Sequence, residues 1–254
     1  MHAAPDLLPW QWALLGLGAF LIGFSKTGIA GIGALSIAIF ANIISAKAST
    51  GAILPLLVAA DIAAVLSYRR HARWLHLVRL LTWAVPGIFI GYFSMKHIND
   101  IQTQRLIGAI LLVVVTMHIW RQRKIRRDGE RVDEQVPHTL WFAATMGLLA
   151  GFTTMVANAA GPIVVLYLLA MRLPKMEFLG TCAWYFFLLN TFKIPFSHSL
   201  GLIHFDSLRL DLALLPFVLL GALGGRIIIP YVNQRLFEWL AIFFTVISAI
   251  RLLV

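Results

Sequence analysis

Five of the polar residues inside the long apolar runs of this sequence could bind a ligand: Lys26, Asp61, Asn158, Asn190 and Lys193. Charged side chains are costly in a bilayer, so they usually line a cavity or pair with a partner. A lysine among hydroxyl and amide donors suits a small oxyanion, because charge-assisted hydrogen bonds are the strong ones. The pattern therefore predicts an anion-binding site within a membrane.

Lys26 is the most informative of these residues, because it is far from either end of its apolar run. Ser25 and Thr27 flank it, and Gly28 follows, so hydroxyl groups and backbone amides could complete an anion cradle. The alternative is that Lys26 sits at a hairpin tip near water. Asp61 is the only acidic residue deep in the first half. It could couple transport to protons or form a structural pair with Lys26.

The other three residues belong to the second half of the chain. Asn158 can donate and accept hydrogen bonds without a charge, although it could also cap a helix beside Pro162. Asn190 and Lys193 share one side of a helix at a spacing of i, i+3. Lys193 could be a second cation for the substrate, or its side chain could snorkel toward the interface.

Two segments break the pattern of membrane-spanning helices. Residues 7–43 are apolar throughout and would form a helix of roughly 55 Å, too long for a ~30 Å hydrocarbon core. The middle of this run, residues 23–33, is rich in glycine, which disfavours a continuous helix. Residues 151–162 form a similar segment that ends in Pro162. We expect broken helices or re-entrant hairpins, since paired breaks indicate a binding site in transporters. The alternative is that the glycines only permit close helix packing.

Composition supports a membrane protein. Of the 254 residues, 60% are hydrophobic and only 13% are charged, and the mean hydropathy is +0.84. A soluble domain is near 45–50% apolar with about 25% charged residues. The formal net charge of +10 is more simply explained by basic cytoplasmic loops than by nucleic-acid binding.

Matching landmarks indicate an internal repeat. Gly23-Phe24 and Gly151-Phe152 are 128 residues apart, while Pro86 and Gly91 match Pro216 and Gly221 at 130. Gln104-Arg105-Leu106 also recurs as Gln234-Arg235-Leu236. The predicted units are a first repeat at 1–120, a basic cytoplasmic linker at 121–138 and a second repeat at 139–254, forming one membrane domain.

The two halves could be parallel or inverted. If each break is a hairpin that returns to its own side, the halves are inverted. With Lys26, Arg79 and Lys193 left out as intramembrane, the cytoplasmic side then carries 13 of the Lys and Arg residues and the other side 5. If each break is a single crossing, the halves are parallel and the counts are 11 and 7. The positive-inside rule favours the inverted arrangement by a small margin.

The first break, Gly-Phe-Ser-Lys-Thr-Gly-Ile-Ala-Gly-Ile-Gly at 23–33, resembles the first glycine-rich motif of the TauE/SafE family of membrane permeases. The segment from Gly151 to Lys193, with Asn158-Ala-Ala-Gly-Pro162 and Thr181-Cys-Ala-Trp184, is also similar to that family. The resemblance implies a transporter, often described as a sulfite exporter. Its relatives are linked to sulfite, thiosulfate, sulfoacetate and other sulfonates or small organic acids.

We therefore expect an all-α, polytopic membrane protein with two inverted repeats, located in the inner cell membrane. Its expected function is secondary transport of a small anion by alternating access, without enzymatic activity, cofactor or metal. Alternatives are an intramembrane enzyme or a non-transporting membrane assembly subunit. Expected partners are the anionic substrate and membrane lipid, with no nucleic acid; a homodimer is a possible assembly.

Overall fold

The computed structural model describes residues 7–30, 32–44, 46–97 and 140–237, and the separate residues 99, 101, 102, 116, 239, 240, 242, 243 and 247. Within these residues the secondary structure is helical, which confirms the all-α prediction. The predicted linker 121–138 and most of the residues before it, from 103 on, lie outside the described residues. The predicted boundaries of the two repeats therefore stay predictions.

The helices described below are α1 (Pro9–Thr27), α2 (Gly33–Ile43), α3 (Ala46–Ala52), α4 (Leu54–Tyr68), α5 (Trp74–Ser94), α6 (Leu140–Ala157), α7 (Gly161–Ala170), α8 (Lys175–Ser199) and α9 (Phe205–Ile228). Short 3₁₀ turns follow α4 and α9, at Arg69–His71 and Ile229–Tyr231. Within the described part of the chain, four stretches are long and apolar enough to cross a membrane: Lys47–His71, Trp74–Ser94, Leu140–Ala157 and Phe205–Tyr231.

Both predicted breaks interrupt a helix. At the first, α1 ends at Thr27, because Gly28 adopts non-helical angles of φ −123° and ψ −113°. At the second, Asn158 takes a left-handed conformation with φ 53°, which asparagine tolerates better than most residues. Pro162 then lies in the first turn of α7, where a missing backbone N–H removes no helix hydrogen bond.

The chain reverses direction at the first break. A side chain at Gly33 would meet Ser25, and one at Gly18 would meet Phe40, so α2 runs back along α1. A ring contact brings α7 back toward the start of α6, with the centroids of Phe142 and Tyr167 5.7 Å apart. Each break is therefore the tip of a helical hairpin in the fold. The side from which each hairpin enters a bilayer stays a prediction.

Two helix pairs pack backbone against backbone. Gly23 and Gly221 join α1 to α9, since a Cβ on either would overlap a main-chain carbonyl of the other helix. Gly87 and Gly151 join α5 to α6 in the same way. Glycine permits this approach because it has no Cβ, as in other small-xxx-small helix contacts. Gly91 and Gly225 extend these contacts by one turn, since a Cβ on Gly91 would meet Phe152 and Met155 and one on Gly225 would meet Phe24 and Gly28.

The glycine contacts correct the register used to compare the halves. A Cβ at Gly87 would meet Leu148 and Phe152, whereas one at Gly221 would meet Phe20 and Phe24, the residues 128 positions earlier. Gly87 and Gly221 therefore play the same part in the two pairs, and they are 134 residues apart. The spacing of 130 suggested by Pro86 and Pro216 is one helical turn off, because sequence landmarks do not report which helix face is buried.

Corresponding helices of the two halves run in opposite directions. α4 and α8 are antiparallel, because Tyr68 lies by Gly180 whereas Asp61 lies by Asn190, 129 residues away in sequence. α5 and α6 are parallel neighbours, because Leu80 lies by Gly147 and Phe152 by Gly91. α8 begins beside the turn that precedes α5, where Gly180 lies against His71. It ends where α5 ends, with the Ser199 hydroxyl donating to the Tyr92 hydroxyl over 3.2 Å. These directions support the inverted arrangement. The side of the membrane on which each end of the bundle lies stays a prediction.

Candidate functional site

The two breaks meet around one cavity of about 70 Å³. Its wall includes the first hairpin tip at Ser25, Lys26 and Gly33, and the second at Asn158 and Gly161. Helix α8 closes the opposite side of the cavity. The volume is enough for a few water molecules or a small oxyanion, given a need of about 10–15 Å³ per water on this measure.

An ion pair lies at the edge of the cavity. The Lys26 ammonium is 2.8 Å from Asp61 Oδ1, and the Asp61 side chain is completely buried. The Lys26 side chain is 13% exposed, and it lines the cavity while Asp61 lies behind it. The sequence left open whether Asp61 pairs with Lys26, and the structure shows that pair. The Lys26 ammonium also lies 4.0 Å from the ring centroid of Phe186, where it makes a cation–π contact.

The second carboxylate oxygen of Asp61, Oδ2, accepts a hydrogen bond that joins the two halves of the chain. Asn190 Nδ2 donates to Asp61 Oδ2 over 2.6 Å, and both side chains are buried. The two residues are 129 positions apart, close to the spacing of 128 between the breaks. Asp61 is on α4 and Asn190 on α8, so this bond connects corresponding helices.

Lys193 does not snorkel, since its side chain is only 1% exposed. Its ammonium donates to the Thr154 carbonyl over 2.8 Å and also to Asn158 Oδ1. No carboxylate lies within 4.0 Å of it among the described residues. The Thr154 carbonyl is in the last turn of α6, where it also accepts from the Asn158 N–H over 3.0 Å and where the helix dipole favours a cation. Lys193 therefore stabilises the second break from behind the cavity wall.

Asn158 is a bridge rather than an N-cap. Its amide nitrogen donates to the Thr50 carbonyl over 2.8 Å, while its oxygen accepts from Lys193. The N-cap position of α7 belongs to Ala160, which has no side-chain capping bond. The side chain thus links α3 to α8 across the tip of the second hairpin.

Two helix N-termini border the cavity. α2 begins at Gly33 and α7 at Gly161, and both glycines line it. Neither helix has a side-chain cap at its first turn. Helix N-termini carry partial positive charge and amide donors, which suits an anion. The fold therefore brings a lysine, two asparagines and two helix N-termini to one small space.

Two predicted cradle residues face elsewhere. Thr27 donates from its hydroxyl to the Ala222 carbonyl over 2.6 Å, and its own carbonyl accepts from the Tyr68 hydroxyl over 2.5 Å. Gly28 lies against Gly225 of α9. Neither lines the cavity. These contacts attach the end of α1 to α9 and α4. Thr27 faces away from the cavity that Lys26 lines because successive residues of a helix point to different faces.

Sequence reasoning missed several residues of the cavity wall, among them Ser36, Cys182 and Phe186. Ser36 lies three positions after Gly33 on α2, and its hydroxyl donates to the Gly33 carbonyl over 2.7 Å. Phe186 and Cys182 come from α8, one turn apart. Only Ser36 had a usable signal, since it shares a helix face with Gly33. Aromatic and cysteine residues are common in membrane helices, so their types did not separate cavity from packing positions.

A second ion pair joins the halves outside the spanning segments. Arg73 forms a two-pronged contact with Glu177, with nitrogen–oxygen distances of 2.6 and 2.7 Å. The hydrogen bond and charge of Glu177 raise the pKa of Arg73 above its ordinary value. The Arg73 backbone N–H also donates to Thr181 Oγ1 over 2.9 Å. This contact holds the turn before α5 against the start of α8.

The family model for sulfite exporter TauE/SafE matches residues 15–252, nearly the whole chain. The chain belongs to the TauE/SafE family. Neither the curated proteins nor the solved structures include a match to it. The TauE/SafE family is a family of membrane permeases and exporters of sulfur anions, and the four apolar helices agree with an integral membrane protein.

Proposed function

We propose that this TauE/SafE protein is a secondary transporter of a small anion, namely sulfite, a sulfonate or a related organic acid, in the inner cell membrane. The observation that supports this most is the cavity at which both hairpin tips, Lys26 and the N-termini of α2 and α7 meet. Alternating access would move one half against the other about the contacts between α4 and α8.

The charges around the cavity favour an anion. Counted formally, Lys26 and Lys193 contribute two positive charges and Asp61 one negative charge, which leaves one positive charge at the site. Because the local dielectric is low, that charge attracts an anion more strongly than it would in water. Uncharged donors on Asn158, and on the first turns of α2 and α7, could fix the orientation of an oxyanion.

The enzyme alternative has less support. An intramembrane hydrolase would need a paired acid and base or a nucleophile with its base. Ser25 instead donates to the Ile22 carbonyl over 2.9 Å, and Asp61 is engaged by Lys26 and Asn190. Among the described residues, the candidate nucleophile Ser25 and the carboxylate Asp61 therefore contact these structural partners and not a catalytic base or acid.

Transport should be measured with purified protein in liposomes. We expect uptake of labelled sulfite or methanesulfonate that is reduced by competing sulfoacetate and unaffected by cations of similar size. Uptake no greater than in protein-free liposomes for every anion tested would contradict the proposal.

An assembly subunit without transport activity would not need water at Lys26. We expect a soluble thiol reagent to label Lys26→Cys in a Cys182→Ala background, and the bound anion to slow that labelling. An unlabelled cysteine in well-folded protein would favour the subunit alternative.

A further inference from the structure

We propose that the transported anion replaces the Asp61 carboxylate at Lys26, and that Asp61 takes up a proton on Oδ1 as it is displaced. The inference rests on the proposed anion transport and adds a proton as the co-transported ion. In this view the Lys26–Asp61 pair is more than a structural contact, because the Asp61 carboxylate and the transported anion alternate as the partner of the Lys26 ammonium.

The first step follows from the order in which the groups are placed. Lys26 lines the cavity, whereas Asp61, its partner at 2.8 Å, is fully buried and does not line it. An anion that enters the cavity therefore meets Lys26 on the side away from Asp61. Lysine is a compact point charge on a flexible stem, so its ammonium can turn from one anion to the other.

The second step follows from the contacts of Asp61. Oδ2 accepts from Asn190, whereas the contact of Oδ1 with Lys26 is its only polar contact within the described part of the chain. When Lys26 turns away, Oδ1 loses that contact in a completely buried place. An unpaired ionised carboxylate is very costly there, and the group neutralises instead. The proton adds to Oδ1, while Oδ2 still accepts from Asn190.

The surrounding charges do not substitute for Lys26. On α8, the Lys193 charge also acts on Asp61, but its ammonium is held by Thr154 and Asn158 and is not within 4.0 Å of the carboxylate. The Cys182 thiol beside the cavity carries no positive charge. On α9, Arg226 makes no ion pair with Asp61 within 4.0 Å. Within the described residues, Lys26 on α1 is therefore the cation in direct contact with Asp61.

The exchange conserves charge at the site. Before binding, Lys26 is paired with Asp61; afterwards Lys26 is paired with the anion, and Asp61 is neutral. One monovalent anion is accompanied by one proton from solution. Anion and proton would then cross together without net charge movement, and a proton gradient would drive accumulation of the anion.

The test measures proton uptake on binding by the full-length protein in detergent. Sulfite and methanesulfonate are the probes, the second because it carries no titratable proton near neutral pH. With methanesulfonate we expect about one proton taken up per anion bound, and up to tenfold weaker binding for each unit of rising pH, because binding and protonation are linked. Asp61→Asn should bind at least as tightly as the parent, with no proton uptake and no pH dependence.

Two carboxylate variants serve as controls. Asp206→Asn changes an exposed carboxylate that lies 4.0 Å from Arg209, and it should behave as the parent does. Asp211→Asn removes the other buried carboxylate of the described helices and should also retain proton uptake. Loss of uptake in Asp211→Asn with normal uptake in Asp61→Asn would overturn the assignment to Asp61.

A measurement on the parent protein covers the case in which Asp61→Asn does not fold. Infrared difference spectra should show the carbonyl band of a newly protonated carboxyl when the anion binds. Binding without that band and without proton uptake would overturn this inference and leave the proposed transport standing. Absence of binding to both the parent and Asp61→Asn would overturn the proposed function and this inference with it.

Discussion

At the scale of single residues, Lys26 and Lys193 have different partners and therefore different roles. Lys26 faces a carboxylate and a cavity, so its charge is available to a second anion. Lys193 faces neutral oxygens that belong to the backbone and side chains of the second break. A lysine surrounded by neutral acceptors fixes a structure, whereas one that borders a cavity can bind a ligand.

We expect Lys26→Gln to weaken anion binding by more than tenfold, or about 1.4 kcal/mol. Because this change also leaves Asp61 buried without its cation, the comparison should be made in an Asp61→Asn background, by titration calorimetry. Lys26→Arg should keep part of the affinity, since the charge remains but its geometry differs. Lys96→Gln, at an exposed site beside Tyr92, is the matched control and should bind normally. Unchanged affinity in well-folded Lys26→Gln would remove Lys26 from the site.

We expect Lys193→Met to destabilise the protein rather than act directly on the anion. The change leaves the Thr154 carbonyl with only the Asn158 N–H as donor among the described residues, and it removes the Lys193 donor from Asn158 Oδ1, at a cost of about 1–3 kcal/mol for a buried group. Thermal unfolding in detergent should occur at a lower temperature than in the parent, while Lys96→Met should unfold normally. A Lys193→Met protein that unfolds like the parent but loses anion binding would instead make Lys193 a direct ligand.

At the scale of helices, close packing positions both hairpins. α1 lies against α9, and α5 against α6, at glycines where the backbones touch. These contacts fix where α1 and α6 end, and so where Lys26 and Asn158 stand relative to each other. Precise placement of a site requires rigid supporting elements, and the glycine contacts provide them here.

A pair of glycines on α9 tests this packing. A Cβ at Gly221 would overlap the Phe20 carbonyl, whereas one at Gly224 would lie 3.8 Å from the rings of Phe20 and Phe24, at ordinary contact distance. We expect Gly221→Ala to lose about 1–3 kcal/mol through overpacking. Gly224→Ala should be neutral or slightly stabilising, because alanine is the better helix former. Unfolding in detergent measures both, and equal stabilities would show that the helices separate without cost.

The sequence predicted the breaks and the lone polar residues for a physical reason. Lys26 and Asp61 are rare in apolar runs because they are costly there, and glycines with Pro162 interrupt a helix wherever they occur. Partners were harder to predict, since Asn158 and Thr50 are 108 residues apart and meet only in the fold. That Thr27 faces α9 rather than the cavity also depends on which face of α1 packs against α9, and the spacing of proline and glycine landmarks alone gave the wrong register for α9.

At the scale of the whole molecule, the helix directions separate two ends of the bundle. Helix α5 has 21 residues and is about 31 Å long, enough to cross a hydrocarbon core. α6 begins at the end where α5 begins, because Leu80 lies by Gly147. The turn 200–204 between α8 and α9 lies at the other end of α5, next to Tyr92. Gly201, with φ 69°, and the bond from the Leu202 N–H to the Ser197 carbonyl form this turn.

The linker 121–138 and the turn 200–204 should therefore lie on opposite sides of the membrane, as the inverted arrangement requires. The end where α5 begins also carries Arg69, Arg70 and Arg73, so the positive-inside rule makes it cytoplasmic.

In a Cys182→Ala background, we expect an impermeant maleimide to label His204→Cys in intact spheroplasts. Gly129→Cys should react only after lysis. Two further variants place a cysteine at the two ends of α5. In intact spheroplasts Lys96→Cys should react with the maleimide, whereas Ala72→Cys should be protected from it. Labelling of Gly129→Cys and His204→Cys from the same side would contradict inverted halves, because a chain with an odd number of crossings between these positions cannot place both on one face.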